Sequence, residues 1–153
     1  MKLDHHERQI LALLQANGRL SNAQLANKVG LSESPCFRRV KQLESVGLIK
    51  HYVAVVDQRK LGLDITAFVQ VLMKDHTSYD EAQFADCVLR EEHIIECHAM
   101  SGSYDYLMKL VARNMDHFSE IAMTRLLKFP GVKTIESGFT LNTVKHSHCL
   151  PTL

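Results

Sequence analysis

Within its first fifty residues the chain marks out three short helices by their ends. Asp4-His5-His6-Glu7 has the form of a capping box, and Ile10, Leu11, Leu13 and Leu14 follow at helical spacing until Gly18. Ser21-Asn22-Ala23-Gln24 is a second box, with Leu25, Ala26 and Val29 inward and Gly30 supplying a left-handed C-terminal residue. Ser34 offers a third cap, directly before Pro35 at the first helical position. Phe37, Val40 and Leu43 then form an apolar stripe that Gly47 stops. The intervening Gly30-Leu31-Ser32-Glu33-Ser34 is the short glycine-containing turn of a helix-turn-helix.

With Phe37, Val40 and Leu43 assigned to the core, the third helix is left with an outward set of Ser34, Cys36, Arg38, Arg39, Lys41 and Gln42. Such a face can present hydrogen-bond donors to base edges while its cations neutralise phosphates. Charge supports the assignment. Residues 1–50 hold eight basic groups against four acidic, and the remainder ten against thirteen, so the net +1 conceals a basic first third. A small helical bundle with a solvated basic face fits the same spacing.

After Gly47, residues 48–56 form a β-branched and aromatic run that reads as a strand, with Asp57 opening a turn. A helix-turn-helix followed by a strand is a winged arrangement. Leu3-Asp4 with Ile10-Leu11, Gly18-Arg19-Leu20-Ser21-Asn22, Leu25-Ala26, Val29-Gly30-Leu31-Ser32, Ser34-Pro35-Cys36, Arg38-Arg39-Val40, Leu43-Glu44 and Gly47-Leu48-Ile49 together resemble the N-terminal domain of the Lrp/AsnC (leucine-responsive, or feast/famine) regulators of bacteria and archaea. That resemblance implies binding of double-stranded DNA by Ser32, Ser34, Pro35, Cys36, Arg38, Arg39, Lys41 and Gln42. Lys60-Leu61-Gly62-Leu63 resembles the family's connector, although Gln58 stands where a proline commonly follows the aspartate.

Beyond the connector, residues 65–73 favour a strand, and Ser78-Tyr79-Asp80-Glu81 caps a helix with Phe84, Ala85, Val88 and Leu89 inward. Two apolar runs, residues 93–100 and 104–112, flank Ser101-Gly102-Ser103 as a hairpin. A helix carrying Phe118, Ile121, Ala122 and Leu126 ends at Pro130-Gly131, before a last strand over about residues 132–144. The order β-α-β-β-α-β is that of a ferredoxin-like sheet with both helices on one face. The expected fold class is therefore α+β, a winged helix-turn-helix in residues 1–62 and a ferredoxin-like effector and oligomerisation domain in residues 63–153. Apolar residues at both parities of the later strands ask for burial of the second sheet face, and a two-fold homodimer supplies it. The resemblance, which continues through Glu96-Cys97-His98, residues 101–106 and residues 126–132, adds assembly of dimers into an octamer.

The turn Gly102-Ser103-Tyr104-Asp105 is the leading effector site. Glycine lets the backbone approach a ligand, exposed N–H groups can hold a carboxylate, and Asp105 suits an ammonium group, so an α-amino acid matches both charges. A plain turn with Asp105 satisfying backbone donors is the alternative. In the regulators this chain resembles, the turn contributes to an amino-acid pocket between subunits, and matched position adds Ala99, Met115 and Thr140. His146, His148 and Cys149 carry metal-ligand chemistry, but their spacing matches no strong zinc pattern, so no metal is assigned.

Neither G-x-S-x-G, HExxH nor a P-loop occurs, and no catalytic residue and no cofactor is expected. No run of about 18 apolar residues suits a membrane span and the N-terminus lacks signal-peptide character, which points to the cytoplasm. Four cysteines without CxxC pairing fit reduced thiols there. The competing classes are a small amino-acid-metabolising enzyme, which would not need the basic helix face, and an architectural DNA-binding protein indifferent to small molecules.

Overall fold

The computed structural model describes residues 2–74 and 78–152, the side chain of Ser78 excepted. Its contacts divide the chain into two units, Met1–Val55 with Val144–Leu153, and Val56–Thr143.

The first unit holds α1 (His5–Ala16), α2 (Asn22–Val29) and α3 (Glu33–Ser45). Both expected capping boxes form: the Glu7 amide donates to Asp4 Oδ1 at 2.8 Å and the Asp4 amide to Glu7 Oε2 at 2.8 Å, and Ser21 and Gln24 exchange the same pair of bonds. Gly30 ends α2 at φ 70°, a left-handed conformation. The third helix begins earlier than its sequence suggests. Ser32, not Ser34, is the N-cap, without a side-chain cap bond, and Pro35 stands third in the helix. Proline is tolerated there because first-turn amides have no intrahelical acceptor.

The phase of α3 also needs correction. Cys36 is fully buried with Leu43, and Val40 packs beside them, whereas Phe37 is 53% exposed. At 3.6 residues per turn, Cys36, Val40 and Leu43 span an arc of roughly 60°, against roughly 120° for Phe37, Val40 and Leu43. The narrower stripe packs against Ile10, Leu25, Ala26 and Val29.

Residues 48–56 form no strand. Tyr52 lies against Gly18 and donates its hydroxyl to Glu44 Oε1 at 3.2 Å, while Val53, Val55 and Val56 stay exposed. An extended β-branched run becomes a strand only when its backbone has a ladder partner, and among the described residues none pairs with it.

The second unit contains β1 (Ile65–Met73), α4 (Ser78–Arg90), β2 (Ile94–Ala99), β3 (Tyr106–Ala112), α5 (Met115–Thr124) and β4 (Val132–Phe139), in the antiparallel order β2-β3-β1-β4. This is the expected ferredoxin-like topology. Any cap from the Ser78 side chain lies outside the described residues. Ala67, Val69, Val71 and Met73 alternate inward from β1, meeting Met108 and Leu110 of β3, Phe84 of α4 and Phe118 and Ile121 of α5. Leu126 belongs to a separate 3-10 turn (Leu126–Lys128) yet joins this core. Across the connector, the Gln58 amide donates to the Leu63 carbonyl at 2.8 Å and to Thr66 Oγ1 at 3.0 Å, tying it to β1.

Candidate nucleic-acid interface and effector turn

Opposite its buried stripe, α3 exposes Ser34, Phe37, Arg38, Lys41, Gln42 and Ser45, which recur at the three- and four-residue spacing of one helix face. The Asn22 side chain donates to the Glu33 carbonyl at 2.9 Å and so fixes the start of α3 against the start of α2. Ser32 is exposed at the turn, while Pro35 is half-buried.

Two residues of the expected interface face elsewhere. Cys36 is in the core, where burial pushes its thiol above the usual range despite nearby Arg39, so it is a packed apolar group and not an outward thiol. Arg39 bridges to Asp4, the N-cap of α1, and lies 3.9 Å from Glu7 Oε1. The Glu7 backbone amide, and after it Arg39, holds the Asp4 carboxyl below the usual range. Adjacent arginines thus divide their work, Arg39 clamping α3 to α1 and Arg38 reaching solvent.

Lys41 bridges to Glu44 at 2.7 Å and holds its ammonium 5.7 Å from the centre of the Phe37 ring. Phe37 is the face residue that the sequence reading placed in the core. The signal that recovers it is the polar spacing 34, 38, 41, 42, 45, which leaves 37 on the same side.

In the second unit the β2-β3 turn is pinned by Asp105. Its amide donates to the Val71 carbonyl at 2.9 Å, its carbonyl accepts from Met100 at 2.8 Å, and its carboxylate accepts from the Met73 amide at 2.7 Å. Asp105 therefore satisfies a backbone donor. Gly102 adopts φ 143°, a region that favours glycine, and the space beside its Cα is open. Ser103 is exposed and Tyr104 half-buried.

The seven expected effector residues do not converge within one chain. Ala99 and residues 102–105 lie at the sheet end where β1 finishes. The Thr140 amide bonds to Thr66, and Met115 follows shortly after Ala112, the partner of Ile65, so both lie at the end where β1 begins. Thr66 and Leu72 are about 20 Å apart at strand rise. The two ends border different hollows. Ala99 lines an apolar groove of about 440 Å³ with Phe84, Val88, Ile94, Cys97 and Tyr106. Thr140 lines a polar one of about 370 Å³ with Asp57, Gln58, Asp64, Thr66 and Asn142.

Beside the apolar groove, Glu91 at the end of α4 receives His93 Nδ1 at 2.8 Å and Arg125 Nη1 at 3.0 Å. Burial alone would push Glu91 up, but these bonds outweigh it and hold its carboxyl below the usual range. His93 packs edge-on to His117, which burial, then Arg113 and His93, hold below the usual imidazole range.

In the tail, the His146 and His148 rings are 4.5 Å apart and Cys149 Sγ donates to the Gln15 carbonyl. Among the described residues no three His, Cys, Asp or Glu side chains converge as a metal ion requires. No described helix is long and apolar enough to cross a membrane.

Residues 3–50 match a family model for a winged helix-turn-helix DNA-binding domain, and residues 66–150 match the Lrp/AsnC ligand binding domain. The chain is 36% identical over 148 residues to the leucine-responsive regulatory protein of Escherichia coli (strain K12), covering 97% of this chain and 90% of that protein. To the transcriptional regulator AzlB of Bacillus subtilis (strain 168) it is 30% identical over 149 residues, covering 97% and 95%. A Neisseria meningitidis transcriptional regulator crystallised with L-methionine matches with a TM-score of 0.95 and 36% identity, covering 98% of this chain and 97% of that one. An AsnC family regulator from Agrobacterium tumefaciens matches at 0.92 and 31%, covering 97% of each.

Proposed function

Since the chain belongs to the Lrp/AsnC family of transcriptional regulators, we propose that it reads operator DNA with the exposed stripe of α3 and adjusts that binding to an amino acid held between subunits. The observation that carries the DNA half is the face itself: Ser34, Arg38, Lys41 and Gln42 stand together on a helix whose opposite side is core. Ser32 and the Pro35 turn approach the phosphates, Arg38 and Lys41 supply cations, and Gln42 supplies hydrogen bonds to base edges.

For the effector half, the reading rests on two clusters at opposite sheet ends. Gly102, Ser103, Tyr104 and Asp105 with Ala99 come from one subunit, and Met115 and Thr140 from another, so the pocket exists only in the assembly. An apolar amino acid is the favoured ligand, given the groove beside Ala99 and the L-methionine bound by the Neisseria relative. The proposed assembly is a homodimer built on the sheet face bearing Phe68, Leu72 and Leu107, with dimers joining into an octamer. Residues 1–62 then serve as DNA reader and connector, and residues 63–153 as effector and assembly domain. On this reading the protein catalyses nothing, needs no cofactor and works in the cytoplasm.

The test combines a selected operator with the twenty amino acids. A ligand that raises the melting temperature binds the folded chain, and it should also shift operator affinity in anisotropy titrations, because the reading requires it to bind the DNA-bound and DNA-free assemblies with different affinity. Stabilisation by no amino acid would remove the effector half. Unchanged DNA affinity in an Arg38→Ala, Lys41→Ala double variant would remove the DNA half.

A further inference from the structure

Phe37 is the one large apolar side chain on the exposed stripe of α3, 53% exposed and flanked along the helix by Ser34, Arg38 and Lys41. It stands fifth among the thirteen residues of α3, in the N-terminal half that a helix-turn-helix lays against base edges. The ring makes no hydrogen bond, so it cannot read the donor and acceptor pattern of guanine, cytosine or adenine. The only apolar group on a base edge in the major groove is the thymine 5-methyl. Lys41, with its ammonium near the ring, places a cation beside it, which suits a polyanion and disfavours burial in a purely apolar interface.

We propose that Phe37 is a specificity-determining residue whose ring packs on the methyl group of a thymine in each half-site. This rests on the DNA-reading role of α3 and adds the base that the face selects.

The experiment uses the full chain and an operator selected by it from a random double-stranded library. Each thymine is replaced in turn by 2′-deoxyuridine, which removes only the methyl, and affinity is measured by anisotropy at fixed salt. At one position per half-site, the wild type should lose about three- to five-fold, the worth of one buried methyl. Phe37→Ala, with unchanged helix content, should bind the thymine operator correspondingly more weakly and lose nothing further on uracil substitution. Phe37→Leu should retain part of the discrimination.

An equal uracil penalty in wild type and Phe37→Ala, or no penalty at any position, overturns the proposal while leaving DNA binding intact. A drop in oligomer size for Phe37→Ala in light scattering also overturns it, since the ring would then belong to a contact between copies of the chain. Failure to enrich any sequence would instead strike the DNA-reading role itself.

Discussion

In the first unit Asp4 caps a helix through Glu7 and Ser21 does the same through Gln24, bonds that reach three residues along the chain. In the second, Ala67 pairs with Phe139 and Glu91 meets Arg125. The contrast extends to the cores: among the described residues, seven buried apolar side chains hold the first together and thirteen hold the second. Local bonds define helices, but each contributes only about 1 kcal/mol, so a unit built on them and a thin core opens more readily. A DNA reader gains from that arrangement, because its exposed face depends on one helix and the clamp behind it. On the proposed reading, the ligand-binding unit needs a rigid sheet to hold two distant ends in register.

The strongest way to break the contrast is Phe84→Ala. Phe84 is 1% exposed and packs on Tyr106 and Phe129, so truncation should cost the second unit about 3–5 kcal/mol. Hydrogen exchange of the β1 and β3 amides across a urea series should show it, and a change confined to the first unit would contradict the division.

Arg38 and Arg39 come next. Arg38→Ala should weaken operator binding by about 1–3 kcal/mol and lower the salt slope by about 1, with the melting temperature unchanged. Arg39→Ala should instead lower the melting temperature of the first unit, because it removes the ion pair that ties α3 to the start of α1 beside their shared core. Equal DNA losses with no thermal change would return both arginines to the interface.

A smaller effect sharpens the comparison through pH. The folded His117 and Glu91 both bind protons more weakly than their unfolded counterparts, so both contribute stability that acid removes. The His117 contribution is present above about pH 6.5 and is lost as pH falls through its lower folded pKa. The Glu91 contribution is lost in turn below about pH 4.5, through its own lower value. His117→Gln should abolish the first step alone in denaturation curves taken across that range. The smallest effect is expected from Gln15→Ala: it removes two exposed bonds to Leu150 in the tail, and should change stability by within about 0.5 kcal/mol.

What the sequence determined by itself is what short-range chemistry specifies. The two capping boxes, the left-handed Gly30, the hairpin around Gly102 and the β-α-β-β-α-β order all follow from side chains acting on backbone a few residues away, or from alternation along one segment. The polar members of the α3 face, Ser34, Arg38, Lys41 and Gln42, were legible for the same reason.

Tertiary structure decided the rest. A three-residue apolar pattern leaves helix phase open by about one residue, or 100°, and only packing against Ile10 and Leu25 turned Cys36 inward and Phe37 out. Residues 48–56 have strand composition, yet a strand is a pairing and no partner stands beside them among the described residues. Arg38 and Arg39 are identical in kind, and it took Asp4, thirty-five residues from Arg39, to separate the clamp from the exposed arginine. Asp105 met the Met73 amide, and β1 set Thr140 and Gly102 at opposite ends of one sheet, because contacts between residues distant in sequence depend on the whole fold being closed.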